Sequence, residues 1–270
     1  MSTALAGQVP IAFDVLGTCF SFSAAADALR TVFPKLGQDH AQAVVDDWFH
    51  SSQRDFTYLS MNGSYTPIAT VLQSNLPRTL LMSNLVSPSS SPSPLSRDFN
   101  WSPLVDPILS TLPRLTPRPG LSEAVDLLLS SSSPAPKFTL LAATNGSLAT
   151  TRQLFTNALG EERASAWGYF SCDEDKCAKP DQRVYRDVWK RLGFAEGDGR
   201  KREGWFVASH VWDLHAARKA GFKTALLTYE EHLPLSHLWG EPEIVAEDLE
   251  EAARRIIEWE TEKTKREKGE

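Results

Sequence analysis

The chain is short of cysteine, has no excess of positive charge and contains no long apolar run. Its 3 cysteines, Cys19, Cys172 and Cys177, cannot all pair. So sparse a set in a chain of 270 residues suits a reducing compartment. A cytoplasmic location is therefore expected. The Cys172-x4-Cys177 spacing has no second pair of ligands at a useful distance along the sequence, so both read as ordinary loop cysteines and no metal is expected there. No segment approaches about 18 uninterrupted apolar residues, and residues 1–9 lack a basic stretch ahead of an apolar run. A membrane span and a signal peptide are thus not expected. With 28 basic against 34 acidic residues and a net charge of −6, neither nucleic acid nor an anionic membrane is an expected partner. A small-molecule substrate fits better.

What the sequence does have is a hydrophobic content of 41%, enough for one large α/β domain or a core with an inserted subdomain. The chain is organised around residues 11–20, Ile-Ala-Phe-Asp-Val-Leu-Gly-Thr-Cys-Phe. An apolar run that ends in Asp14 and then Gly17-Thr18 reads as a buried strand delivering a carboxylate to the edge of a sheet. Taken alone, Asp14 reads equally well as the cap of a following helix. Further buried strands are predicted over residues 138–143, 167–171, 205–208 and 223–227, with helices over 121–129, 150–159, 183–192 and 214–220 between them. Strand and helix alternate from residue 119 onward, and the strand ends carry Thr144-Asn145 and Ser209-His210-Val211-Trp212-Asp213. The pattern predicts a doubly wound parallel sheet with its ligands at the carboxyl edge.

Residues 22–116 read as a helical insertion, and 1–21 with 117–270 as the α/β core. Within the insertion, a helix is expected over 24–30 with Ser23 as its cap, a longer one over 40–61, and a short one over 68–73. Asp47, His50, Arg54 and Tyr58 form a polar stripe on the long helix that periodicity alone assigns to solvent. Residues 87–94, rich in serine and proline, are expected to form a surface loop. Near the C-terminus Ala252, Ile256, Ile257 and Trp259 are expected to face the body of the protein, and 261–270 to fray.

The motifs together resemble the haloacid dehalogenase superfamily, and within it the L-2-haloacid dehalogenase branch. The first is Phe13-Asp14-Val15-Leu16-Gly17-Thr18, the second Thr144-Asn145-Gly146-Ser147, the third Lys179-Pro180-Asp181-Gln182-Arg183-Val184-Tyr185, and the fourth Ser209-His210-Val211-Trp212-Asp213. All occur in the family's order. The resemblance implies a Rossmann-like core with a parallel doubly wound sheet and a helical cap inserted after the first motif. It also implies catalysis by Asp14 as nucleophile, forming an ester with the substrate, with Thr18 and Lys179 orienting its carboxylate and Asp213 placing the hydrolytic water. Ser209 and His210 belong to the same catalytic set. Leu16, His50, Arg54, Thr144, Asn145, Tyr185 and Trp212 are the implied substrate contacts, and a homodimer is compatible with the family.

Departures from the family pattern narrow the chemistry. Magnesium-dependent phosphatases of the superfamily place an aspartate where Leu16 stands and an acidic residue at Ser209, so a phosphatase is disfavoured and neither metal nor other cofactor is expected. The dehalogenase branch has a tyrosine at Leu16, an asparagine at His210 and a cap arginine at His50, one helical turn from Arg54. The expected function is thus hydrolysis of a 2-haloacid to a 2-hydroxy acid. The alternative is proton-transfer chemistry, a dehydratase, isomerase or cyclase acting on a carbonyl metabolite through Asp14, His50 and His210. A binding protein without activity is disfavoured because Asp14, Thr18, Lys179 and Asp213 are all present.

Overall fold

The computed structural model describes residues 8–133, 135–194 and 203–268. The chain divides into two compact units, a helical unit of Ser21–Thr116 and an α/β unit made of the remainder. Its strands are β1 (Gln8–Phe13), β2 (Phe20–Ser21), β3 (Thr116–Pro117), β4 (Lys137–Thr144), β5 (Trp167–Ser171), β6 (Trp205–Ala208), β7 (Lys223–Leu227) and β8 (Ile244–Ala246). Six of them form one sheet in the order β5-β4-β1-β6-β7-β8, with every pairing parallel. β2 and β3 pair with each other where the chain leaves the α/β unit and returns.

The central parts of the sheet strands are apolar because residues on both faces are buried there. Ile11, Ala12, Trp205, Phe206, Val207 and Ala208 have no exposed surface. β1 lies between β4 and β6, and Phe13 is in register with Ala142 on one side and Val207 on the other. That register brings the residues that follow these strands, Asp14, Asn145 and Ser209, out at the same carboxyl edge.

In the helical unit, α1 (Ser23–Val32), α2 (Gln38–Met61), α3 (Ile68–Met82) and α4 (Ser102–Leu109) bury Trp48, Phe49, Phe56, Leu72, Leu76 and Ile108. The cap expected at Ser23 is not made: Phe22 holds the N-cap position without a side-chain bond, and Ser23 Oγ lies 3.0 Å from Ser21 Oγ. α3 runs well past the predicted stop at residue 73. Pro77 lies inside it and removes the hydrogen bond that would reach the Gln73 carbonyl, which is why the pattern breaks in the sequence while burial of Leu76, Thr79 and Leu80 carries the helix on. Residues 87–94 contain neither helix nor strand.

The α/β unit holds α5 (Leu121–Ser130), α6 (Leu148–Leu159), α7 (Glu161–Ser165), α8 (Cys172–Asp175), α9 (Gln182–Arg191), α10 (Val211–Lys219), α11 (Ser236–Trp239) and α12 (Leu249–Lys268). Ser147 caps α6 by accepting from the Thr150 amide, and Asp181 caps α9 through the Arg183 amide. α12 corrects the expectation for the C-terminal residues. Ala252, Ala253 and Ile256 are buried, whereas Trp259 is 43% exposed and Glu260 is buried in its place. Glu260 accepts from Trp205 Nε1 at 2.8 Å and pairs with Lys223, which satisfies its charge, and the Trp259 ring meets Trp205 edge-on. The helix runs on to Lys268, and residues 269–270 lie outside those described. Among the described residues no helix is long and apolar enough to cross a membrane.

Candidate active site

Asp14 is the first residue beyond β1, and its backbone remains tied to the sheet through an N–H to Val207 O bond of 2.9 Å. The chain then turns sharply. Gly17 adopts φ +89°, a left-handed conformation that costs glycine little, and Gly17 N donates to Phe20 O at 2.8 Å while Cys19 N and Phe20 N both donate to Val15 O. This closed turn aims Thr18 back at the carboxylate. Thr18 Oγ1 donates to Asp14 Oδ2 at 2.7 Å. Its single proton is then used, so the Ser209 amide at 3.0 Å and the Ser209 hydroxyl at 3.1 Å are donors to Thr18 rather than acceptors. Ser209 thereby fixes Thr18, and Thr18 fixes Asp14. Cys19 Sγ donates to Asp14 O at 3.2 Å, and burial, reinforced by the Asp14 charge, pushes its thiol far above its ordinary pKa. It is an inert structural thiol.

The other carboxylate oxygen meets Lys179. Its Nζ lies 2.8 Å from Asp14 Oδ1 and 2.8 Å from Asp213 Oδ2, and the side chain has no exposed surface. Burial favours loss of its proton, but the facing Asp14 and Asp213 carboxylates outweigh that cost, and Lys179 is held above the usual lysine range as an ammonium. The Lys179 amide also donates to Asn145 Oδ1 at 3.2 Å, joining the strand-end loop after β4 to the same centre. Asp213 stands in the first turn of α10. Its Oδ1 accepts from the Tyr185 hydroxyl, while burial pushes its carboxyl upward against the pull of Lys179. Tyr185, expected as a substrate contact, is fully buried with its hydroxyl given to Asp213. The same burial, with Asp213 beside it, raises the phenol far above its ordinary pKa.

Asp14, Thr18, Ser209, Lys179, Asp213, Tyr185 and Asn145 therefore form one continuous hydrogen-bonded group. Thr144 is close by but turned inward: it has no exposed surface and its Oγ1 accepts from the Gly146 amide at 2.8 Å. A side chain at Gly146 would stand 3.2 Å from that hydroxyl and 3.7 Å from Leu16 Cδ1, so glycine lets the two strand-end loops close on each other. His210 precedes α10. Its Nε2 lies 3.0 Å from Glu230 Oε2, and its ring stacks on the half-buried Trp212 at 5.6 Å between centroids. Burial disfavours the imidazolium, yet the Glu230 hydrogen bond and charge outweigh it and the His210 pKa is raised.

His50 and Arg54 belong to the helical unit, on α2. Both are exposed, with the His50 ring 5.7 Å from Phe49 and the Arg54 guanidinium bound to the Asp55 carboxylate at 3.1 Å. Two residues absent from the sequence expectations, Arg118 and Glu230, stand beside the Asp14 turn. Arg118 Nε donates to Gly17 O at 3.0 Å, and its Nη2 pairs with Glu230. They are 112 positions apart in the chain and belong to no motif, so no sequence signal marked them.

The carboxylates of this group are all engaged. All four carboxylate oxygens of Asp14 and Asp213 already accept a hydrogen bond, Lys179 occupies the space between them, and Ser209 adds no charge.

Comparison with known proteins agrees with this geometry. A family model described as a haloacid dehalogenase-like hydrolase matches residues 11–221. The chain is 26% identical over 251 residues to a (S)-2-haloacid dehalogenase of Pseudomonas putida, covering 92% of this chain and 96% of that protein. Among solved structures, a dehalogenase superposes with a TM-score of 0.71 at 19% identity, covering 94% of this chain and 99% of the other. The L-2-haloacid dehalogenase of Xanthobacter autotrophicus does so with a TM-score of 0.68 at 21% identity, over 92% of this chain and 98% of the other. A six-stranded parallel sheet that leads all four motifs to its carboxyl edge, and a family match running from β1 through α10, have one explanation: the chain belongs to the haloacid dehalogenase-like hydrolases.

Proposed function

We propose that this hydrolase converts a small 2-haloacid to the 2-hydroxy acid through an ester on Asp14, without a metal. The observation that carries the proposal is the Asp14 carboxylate at the end of β1, held by the Lys179 ammonium on one oxygen and Thr18 on the other. A carboxylate so paired is fixed in direction, which is what attack on carbon requires.

In the first step an Asp14 oxygen attacks C2 of the substrate, the carbon–halogen bond breaks, and the halide leaves with the bonding electrons. Halide needs no proton as it departs. That suits Leu16, an apolar side chain at the position from which a phosphatase would supply one. In the second step water adds to Cγ of the ester, the bond between Cγ and the substrate oxygen breaks, and the 2-hydroxy acid leaves. One water proton goes to the departing oxygen and the other to solvent, while Asp14 keeps an oxygen from water. Asp213, oriented by Lys179 and Tyr185, places that water. The related (S)-2-haloacid dehalogenase of Pseudomonas putida supports this substrate class.

Halide release from 2-chloropropionate, followed by ion chromatography, tests the proposal. Release that disappears in Asp14→Asn is the expected result, and no release from 2-chloro- or 2-bromopropionate or from monochloroacetate would reject the substrate class. Proton-transfer chemistry has less support: the relative matched over nearly its whole length is a haloacid dehalogenase.

A further inference from the structure

His210, Glu230 and Arg118 enclose the backbone of the nucleophile turn from two sides. The Gly17 carbonyl accepts from Arg118 Nε at 3.0 Å. On the other side, a Cβ at Gly17 would stand 2.9 Å from His210 Cε1 and 3.1 Å from each Glu230 carboxylate oxygen, so the His–Glu pair lies directly on the turn. Glu230 joins the two sides, with one oxygen paired to Arg118 and the other 3.0 Å from His210 Nε2. Arg118 is itself anchored over the Tyr229 ring at 4.8 Å, and the Tyr229 hydroxyl donates to Pro119 O and accepts from the Leu249 amide. The neighbouring Glu231 is engaged elsewhere, accepting from the Val211 amide at 2.7 Å at the start of α10. The group is held from four separate parts of the α/β unit: the end of β1, the return of the chain before α5, the end of β6, and the segment after β7.

We propose that Glu230, which lies outside all four motifs, is a positioning residue of this site: bridged to Arg118, it holds His210 as an imidazolium against the Gly17 turn. The proposal rests on the reading of Asp14 as nucleophile and adds a fixed cation beside it. An imidazolium there favours an anionic substrate and offsets the negative charge that leaves with the halide. The charged groups of the α/β unit that face His210 are Glu230 and Glu231 from the segment after β7 and Asp14 from the end of β1, all negative, with Arg118 behind Glu230. Removing the negative partner and removing the positive one should therefore move His210 in opposite directions.

The test is a histidine-labelled NMR titration of the full chain, with His210→Gln to assign the resonance. His210 is expected to titrate above the usual histidine value of about 6.5. Glu230→Gln, which preserves shape, should lower its midpoint, and Arg118→Gln should raise it. A merely structural role would not produce shifts of opposite sign. If 2-chloropropionate is turned over, the alkaline limb of kcat/KM should follow: moved to lower pH in Glu230→Gln, with a several-fold loss of rate on that side, and restored by Glu230→Asp. Glu230→Gln should have no further effect on the pH profile in a His210→Gln background. A His210 midpoint at or below the usual value, or one that Glu230→Gln leaves in place, overturns the inference. Absence of turnover with every haloacid counts against the proposed function alone, since the titration does not depend on activity.

Discussion

The two units each contain a charge bracketed by two of opposite sign, and the pair of clusters behaves very differently. In the α/β unit Lys179 lies between Asp14 and Asp213, with side-chain exposures of 0%, 8% and 0%. In the helical unit Asp55 lies between Arg54 and Arg78, with exposures of 24%, 52% and 51%. Burial pushes Asp55 upward, but its bonds to Arg78, Arg54 and Asn75 bring it below the usual aspartate range. That direction resembles an ordinary surface ion pair, because water screens the guanidinium charges. Lys179 and Asp213 have no exposed surface, so removing one member leaves the others in a low-dielectric interior. The same sign pattern is a buried cluster in one unit and a solvated contact in the other. Burial, not pairing, separates them.

Several substitutions sharpen or break this contrast. The largest effect is expected for Lys179→Met, which strands two buried carboxylates and should cost about 3–5 kcal/mol in urea unfolding, together with most of the activity. Tyr185→Phe removes the donor to Asp213 Oδ1 while keeping the ring against Phe206, and should cost about 1–3 kcal/mol by the same measurement. His210 contributes through pH. Because its folded pKa is raised above the unfolded value, its contribution is fully present below the unfolded pKa and is lost as pH climbs through the folded one. The melting-temperature advantage of the parent over His210→Gln should accordingly be greatest in mild acid and shrink on the alkaline side. The smallest effect is expected for Asp55→Asn, about 1 kcal/mol or less and reduced further by salt. Equal costs for Lys179→Met and Asp55→Asn would erase the distinction between the clusters.

Legibility in the sequence followed the same line between local pattern and long-range assembly. Residues 205–208 and 223–227 were readable as strands to the residue because each is a largely buried apolar run, and 167–171 was readable too although, at the sheet edge, Gly168 is exposed and Tyr169 half-buried. Asp14 and the Ser209–Asp213 motif follow directly on such runs, whereas Lys179 lies beyond α8 and was joined to them by the resemblance of the motifs to the family. Helix starts were harder to place. α10 begins at Val211, three residues before the predicted start, so Asp213 is on a helix rather than in a loop. Its apolar positions could not reveal this, since His210 precedes the helix without a side-chain capping bond. β8 was missed because three residues carry too little periodicity to register. Trp259 is more exposed than expected and Glu260 is buried beside it, because the partners of Glu260, Trp205 and Lys223, come from other elements. Arg118 and Glu230 were illegible for that reason also: only the folded sheet brings them to Gly17.

The account depends on Asp14 forming a covalent ester, and one isotope experiment reads that directly. A single turnover of 2-chloropropionate by excess enzyme in water enriched in oxygen-18, followed by peptide mass spectrometry, should put the label in the peptide containing Asp14 and leave the 2-hydroxy acid unlabelled. Label in the product, with Asp14 unlabelled, would mean that water attacks the substrate itself and would contradict the mechanism.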